Sequence, residues 1–392
     1  MAQAYTPGLK RKKLYLVKKR RILPIPGKVL VKKGEKVTPT TIVATTMVPG
    51  DIQMMPMASM LDIDISTDTA DAGGMGLEYQ KSMIDKCMLK KEGEEVRANE
   101  IIARKKHVLS IFRKECRCPV NGKIEFISYT TGQLAIRERP KEQNLNAHIP
   151  GIVADVIPEQ GVVIETPATY IQGIFGISGE RHGELTVLSK SPEEILTADR
   201  IGSECTGKIL VGGSLVQGDA LKRAAEVGAK GIIVGGIECK DLRDFLGYEI
   251  GVAITGNEET ALTLIITEGY GKMRMSQKTF ELLEESDGKL ACIDGTTHIR
   301  AGVIRPEIII PRDDLEKYAD SQDKEYLSGG IGPGAIVRII REPYFGYIAR
   351  VVSLPPELQT LETESKARVL EAELEDGRLV VVPRANVEMI EE

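Results

Sequence analysis

The sequence predicts a multidomain, β-rich α+β protein, and three observations carry that expectation. At 392 residues the chain is longer than one ordinary core accommodates. Its 39 Gly and 19 Pro punctuate short Val/Ile runs, as turns between strands do. Helical periodicity is concentrated in one middle stretch, where it alternates with apolar runs. The expected division is residues 1–190 as β modules, 191–311 as an α/β domain, 312–331 as a linker and 332–392 as a small β-barrel.

Composition narrows the function classes. Hydrophobic residues make up 42% and charged residues 28%, a balance suited to a globular, soluble chain. Aromatic residues are 4%, with no Trp, which leaves little material for a stacking platform. No stretch reaches the roughly 18–20 apolar residues of a membrane helix. Six scattered Cys form no disulfide framework and no secretory h-region is evident, so a reducing cytoplasm is expected.

The first element is a charge run. Residues 1–36 hold twelve Lys or Arg against the single acid Glu35, so this end is +11 while the remainder is −16. Its densest part is Lys10, Arg11, Lys12, Lys13, Lys18, Lys19, Arg20 and Arg21. Such a block attracts polyanions through counterion release, and RNA, DNA or an anionic membrane surface would each serve. The plainer reading is a Lys-protected edge strand, since Leu14, Leu16, Ile22 and Leu23 sit among the charges.

From residue 24 a theme repeats three times. Pro26-Gly27-Lys28-Val29 leads through Gly34-Glu35-Lys36-Val37 to Ile42-Val43-Ala44. Gly93-Glu94-Glu95-Val96 leads to Ile101-Ile102-Ala103 and then Pro119-Val120-Asn121-Gly122. Pro150-Gly151-Ile152-Val153 closes with Gly161-Val162-Val163-Ile164. These units resemble barrel-sandwich hybrid modules, the family of biotinyl and lipoyl carrier domains and of the Rnf electron-transport C subunit. The carrier role does not follow: the place of the modified Lys falls near Leu109, and Lys105, Lys106 and Lys114 lack the flanking pattern. The modules are therefore expected to be scaffold.

Between the first two units, eight of the twelve Met fall from Met47 to Met88. Thioethers fill irregular gaps or line adaptable partner surfaces. The same connector carries Asp62, Asp64, Asp68 and Asp71 before Gly73-Gly74-Met75-Gly76. Its spacing misses the EF-hand pattern, so a polar loop is expected.

In residues 191–311, Pro192–Leu196 reads as helix-like and Lys208–Gly213, Gly231–Gly236 and Val252–Gly256 as buried strands. Asp219–Gly228, Asp241–Leu246 and Thr279–Glu285 read as helices, and Val303–Ile310 as a closing strand. The run from Gly207 to Val234 resembles swivelling β/β/α and protease-associated domains, which are usually non-catalytic interaction modules. Open α/β sheets bind ligands beyond their strand ends, which nominates Gly235, Gly236, Thr255, Thr267 and Glu268 as a pocket. Arg300 and Arg305 could clamp a carboxylate or phosphate there. Neither a P-loop nor a dinucleotide fingerprint nor a nucleophile elbow is present. Cys116-Arg117-Cys118 has only His107 nearby and lacks a zinc spacing. No metal and no cofactor is expected.

The last module runs from Gly334 through Val337, Ile339 and Pro343-Tyr344-Phe345-Gly346 to Val351. It ends in Leu379–Pro383 and Asn386-Val387-Glu388, with hairpin chemistry at Asp376-Gly377. It resembles a KOW domain, the small SH3-like β-barrel of transcription-elongation factors and ribosomal proteins. Ala349 stands where that family usually has Gly. The resemblance implies contact with RNA, a ribonucleoprotein or a protein partner, with Arg338, Arg341, Tyr344, Phe345 and Arg350 as the contacting residues. Phe345 could equally pack the barrel, whereas for Tyr344 the contact reading is favoured over packing.

Together these features favour a non-enzymatic scaffold or interaction protein associating with RNA, ahead of DNA, or with a ribonucleoprotein or transcription machine. A second reading is an accessory subunit of a metabolic or redox complex. A third is a small-molecule enzyme using Arg300 and Arg305. The oligomeric state is not indicated.

Overall fold

Eight cations in a fourteen-residue run need solvent or acid partners, and an extended strand offers alternate side chains to each. In the computed structural model, Leu9–Ile22 is one continuous strand. The structure describes residues 9–63, 75–106, 113–249, 254–256, 258, 260–298, 304–312, 331–341, 343–344, 347–360, 366–374 and 376–391. The strand pairs antiparallel with Gly161–Gln172 from Arg11 opposite Ile171 to Ile22 opposite Gly161. Leu9, Arg11, Val17 and Arg21 are buried, while Lys13, Lys18, Arg20 and Ile22 face solvent. The basic segment is thus an integral strand within the described residues, and not a projecting arm.

The first and third Gly-punctuated units build one core. Lys36–Val37 pairs with Gly151–Ile152, and Gly151–Ile157 forms a hairpin with Gly161–Gln172. Val31, Val37 and Val43 pack with Ile149, Val153, Val162 and Ile164, and Val17 of the basic strand joins them. The second unit is an insertion, because Ile42–Val48 and Lys141–Asn146 pair with each other on either side of it. It closes on its own core of Met55, Met57, Leu61, Ile84, Ile102, Ile124 and Ile136. Its sheet runs Ile52–Met55, Leu134–Glu138, Gly122–Ile127, Glu95–Val96. The connector methionines divide: Met55 and Met57 fill this core, whereas Met54 and Met60 are exposed. Asp64, Asp68, Asp71, Gly73, Gly74, His107 and Leu109 lie outside the described residues.

Glu307–Pro311 pairs with both Gly161–Gln172 and Leu290–Asp294, which carries the sheet into the α/β region. Leu290–Asp294 pairs with Glu180–Val187, and parallel strands follow: Ile209–Val211, Gly231–Ile237 and Thr263–Tyr270. The result is a large mixed sheet with few helices. Gly218–Val227 and Cys239–Leu246 each stop at a left-handed Gly, Gly228 (φ 79°) and Gly247 (φ 80°), which accept that backbone without a Cβ clash. These helices cover one face over Leu210, Ile232, Val234 and Leu264. Gln277–Glu284 covers the other, over Ile209, Ile233, Ile265 and Ile293. The helix-like reading of Pro192–Leu196 is corrected: Ile195–Leu196 is a short strand parallel to Leu215–Val216. It is too brief for a helix and lies where a sheet edge needs a partner.

The last six strands are Ile336–Ile339, Ile348–Ser353, Leu358–Thr360, Lys366–Leu374, Leu379–Pro383 and Val387–Glu391. They enclose a separate core of Val337, Ile339, Ala349, Val351, Leu370, Leu374 and Val382. Val387–Glu391 also runs parallel to the start of the basic strand, Leu9 opposite Ile390 and Lys10 opposite Glu391.

The glycine pairs after the parallel strands admit backbone, not ligand. Beside Gly235 lie the Met273 carbonyl and the Met275 amide, and beside Gly236 the Gly271 carbonyl. A methyl group on Gly235 has no room, so Gly235→Ala is expected to cost about 1–3 kcal/mol. Urea unfolding checks this; an unchanged midpoint would show that the 271–275 segment yields freely.

Candidate functional site: the junction groove

Two charged regions form around the basic strand, one buried and one open. The buried one fixes the strand. Arg21 donates its Nε to the Asn146 carbonyl at 2.8 Å and both guanidinium ends to Glu180, one of them at 2.8 Å. Lys19 reaches Glu307 at 3.0 Å and Asp294 at 3.7 Å. Burial opposes the Lys19 charge, but Glu307 and Asp294 outweigh it and raise its pKa. Asp294 is held below the usual carboxylate range: burial works against its charge, and Lys19 with the Thr296 hydrogen bonds outweighs it.

His148 completes this cluster. It is 3% exposed, sits at φ 68°, and its Nδ1 lies 3.9 Å from Glu180. Its Nε2 has no hydrogen-bond partner among the described residues. Burial pushes its pKa down to about 4; Glu180 and Asp294 pull it upward, while Lys19 and Arg21 add to the depression. Cys292 lies in the same core, and burial pushes its thiol up to about 12. Sequence reading gave His148 no role, because its partners come from strands far away in the chain.

The open region is a groove of about 250 Å³ between the body and the C-terminal barrel. The body supplies Arg11 from the basic strand and Lys278 from the Gln277–Glu284 helix. The barrel supplies Ile336, Ile348, Ala349, Arg350, Glu373 and Leu374. Ile336 stands opposite Arg350, and Arg350 opposite Glu373, so the three form one row across the barrel's outer face. Arg11 Nη1 donates to Ser276 Oγ at 2.7 Å, which anchors the guanidinium at the groove wall. Arg350 is exposed and makes no side-chain hydrogen bond or ion pair among the described residues. Lys278 and Arg350 are exposed at the groove, whereas Arg11 is a buried part of its wall, 8% exposed. Lys278 and Glu373 were not nominated from the sequence, since only docking of the barrel brings them to Arg11.

Behind this groove the junction is sealed by buried charge. Arg338 is 4% exposed, and its Nη1 donates to the Glu268 carbonyl at 2.7 Å and lies 3.2 Å from the Glu268 carboxylate. Its Nη2 lies 3.6 Å from Glu388, which also pairs with Arg305. Glu268 accepts the Ser276 amide at 2.9 Å.

The other nominated residues fall as follows. Lys13 pairs with Glu285 at 2.7 Å and Lys18 with Glu165 at 2.9 Å, so their charges are met on the surface. Lys10 stands over the Tyr15 ring at 5.9 Å, and Lys12 is half-buried. Arg20 and Arg341 are exposed with no side-chain partner among the described residues. Arg338 is corrected from a phosphate contact to a structural one, because the body covers its side chain. Tyr344 packs half-buried on the barrel core, edge-on to Tyr347 at 6.4 Å. Arg305 is corrected from a ligand clamp, being committed to Glu388. The nominated α/β pocket is filled by the chain itself: Gly235 and Gly236 meet the 271–275 backbone, Thr267 donates to the Val234 carbonyl, and Glu268 is engaged as above. Thr255 lies in a two-residue strand paired with Thr297–His298. Arg300 and Phe345 lie outside the described residues.

Among the described residues no cluster of His, Cys, Asp and Glu could hold a metal ion. Cys116 and Cys118 are buried, and burial pushes the Cys116 thiol up to about 11. No helix of the described residues is long and apolar enough to cross a membrane. No protein-family model matches the chain, and no curated protein matches it in sequence.

The buried cluster makes a pH prediction. Unfolded His148 takes a proton near pH 6.5, whereas the folded site resists it to about pH 4. Between those values the unfolded chain binds the extra proton, so stability falls as pH drops. His148→Asn keeps a side chain that tolerates positive φ and removes this titration. Unfolding free energies at pH 7 and pH 5 are expected to differ by about 2 kcal/mol less in the variant than in the wild type. Equal differences in the two proteins would refute the assignment.

Proposed function

We propose that the protein is a non-catalytic scaffold that binds RNA, as part of a ribonucleoprotein or transcription machine, through the groove at the barrel–body junction. The observation that carries this reading is the convergence of Arg11, Lys278 and Arg350 from three elements on one open groove. A guanidinium or ammonium group matches a phosphate oxygen by charge-assisted hydrogen bonding, and a row of them follows a phosphate backbone. Arg20, nine residues further along the basic strand, and Arg341, just beyond Ile336–Ile339, are exposed cations outside the groove. The KOW-like sequence of the barrel, with its SH3-like strand pattern, favours RNA over DNA. The barrel-sandwich-like units and the swivelling-type α/β region fit a scaffold that positions the junction.

This reading replaces the free basic arm with a groove, and that changes what is expected. With Tyr344 packed into the barrel, recognition rests on phosphate contacts, so sequence dependence is weak and salt dependence strong. Fluorescence anisotropy of a labelled RNA hairpin tests this at low and physiological salt. Arg350→Glu is expected to weaken binding about tenfold and to reduce the salt slope by about one phosphate contact. Absence of binding at low salt, or an Arg350→Glu variant indistinguishable from wild type, would remove the reading.

A further inference from the structure

The groove exists only while the C-terminal barrel is docked. Arg11 and Lys278 belong to the body, whereas Ile336, Arg350 and Glu373 belong to the barrel, and neither half has the groove alone. The C-terminal unit has a hydrophobic core of its own, distinct from those of the body, which docking separate from folding requires. Among the described residues, strand pairing across the junction is Leu9 with Ile390 and Lys10 with Glu391. A second polar contact across the junction is the four-charge clasp, in which each side chain is 11% exposed or less.

The clasp is balanced in a way that permits two states. The body contributes Arg305 and Glu268, and the barrel contributes Arg338 and Glu388. Each half is neutral within the clasp, and the barrel keeps its Arg338–Glu388 neighbours, 3.6 Å apart, when separated. Undocking therefore separates two halves whose clasp charges each sum to zero. Removing one member while docked is different, because it leaves a buried charge without its partner and favours undocking.

We infer that RNA binding and barrel docking are one linked equilibrium, with the Arg338–Glu268–Glu388–Arg305 clasp setting the docked population. The inference rests on the RNA reading above and adds its regulation. A ligand that touches both walls binds only the docked form, so its apparent affinity scales with the docked fraction. By the same linkage the ligand must stabilise docking. A clasp variant that leaves one molecule in ten docked binds about tenfold more weakly without losing a single groove residue.

The test uses the full chain and an RNA hairpin as the probe. Two clasp variants on the body side leave the barrel sequence intact: Arg305→Ala, and Glu268→Gln, which keeps an oxygen for the Ser276 amide. Amide hydrogen exchange is followed over residues 9–12 and 387–391, with the barrel strand Lys366–Leu374 as the internal control for barrel folding. Faster exchange at the junction, unchanged exchange in the control strand, and at least tenfold weaker hairpin binding are expected for both variants. Saturating hairpin is expected to slow junction exchange in the wild type. If Arg350→Glu weakens binding about tenfold while clasp variants undock yet bind normally, the linkage fails and the RNA reading stands. Junction exchange in the wild type that ignores bound hairpin likewise overturns the linkage. A wild type that does not bind the hairpin overturns both.

Discussion

The strand Leu9–Ile22 carries eight cations through a sheet, and the rest of the architecture depends on how they are met. Its backbone is paired with Gly161–Gln172 along most of its length, so it cannot swing away to place its charges in water. Alternation sends Arg21 inward, and Lys19 lies deep beside it. A buried cation without a partner costs several kcal/mol. Glu180, Asp294 and Glu307 supply those partners from three other strands of the same sheet. The same contacts join the composite β core to the α/β region, since Glu307–Pro311 and Leu290–Asp294 are the strands that bridge them. What looks in sequence like a surplus of positive charge is, on its inward side, half of an internal electrostatic seam.

That division explains why the charge run was only partly legible. The alternation rule places Arg11, Lys19 and Arg21 on one face or the other, but it does not say what covers either face. Arg338 makes the same point. Its flanking residues Val337 and Ile339 point into the barrel core, so Arg338 points out of the barrel, as the period-two pattern implies. The body covers that outer face at Arg338 and leaves it open at Arg350, two strand positions apart in a neighbouring strand. No local property separates the two arginines. The Asp376-Gly377 hairpin, the helices after Asp219 and Asp241, and the parallel runs at Ile209 and Gly231 were readable because turn chemistry and periodicity are local. The insertion of the second β unit between Ile42–Val48 and Lys141–Asn146 was not, because similar Gly-punctuated repeats suggest three equal modules in series.

The glycine pairs carry a related lesson about open sheets. Gly212-Gly213 and Gly235-Gly236 follow parallel strands, where a ligand crevice is the general expectation. Here the segment Gly271–Met275 brings its own carbonyls against Gly235 and Gly236, while Ser191, Glu194 and Leu196 lie against Gly212 and Gly213. The segment then delivers Ser276, whose amide holds Glu268 and whose hydroxyl holds Arg11. The residues nominated as a pocket have become the support behind the groove: Glu268 orients toward Arg338, and Ser276 fixes Arg11 at the wall.

A buried ionic junction is a costly way to attach a domain. A hydrophobic contact of similar area would hold the barrel at least as firmly, because burying four charges demands desolvation that their attraction only roughly repays. What charge offers instead is a sharp dependence on completeness. With all four members present, each carboxylate meets a guanidinium and the junction closes; with one missing, the balance turns strongly against docking. An apolar seam loses stability in proportion to the area removed, and its exposed faces would seek other partners when parted. The clasp leaves charged groups on both faces when it opens, beside the apolar Leu9 and Ile390 that meet across the same junction. That property is useful only if the junction opens in the working protein, which is the physical reason to expect the groove's occupancy and the barrel's position to govern each other.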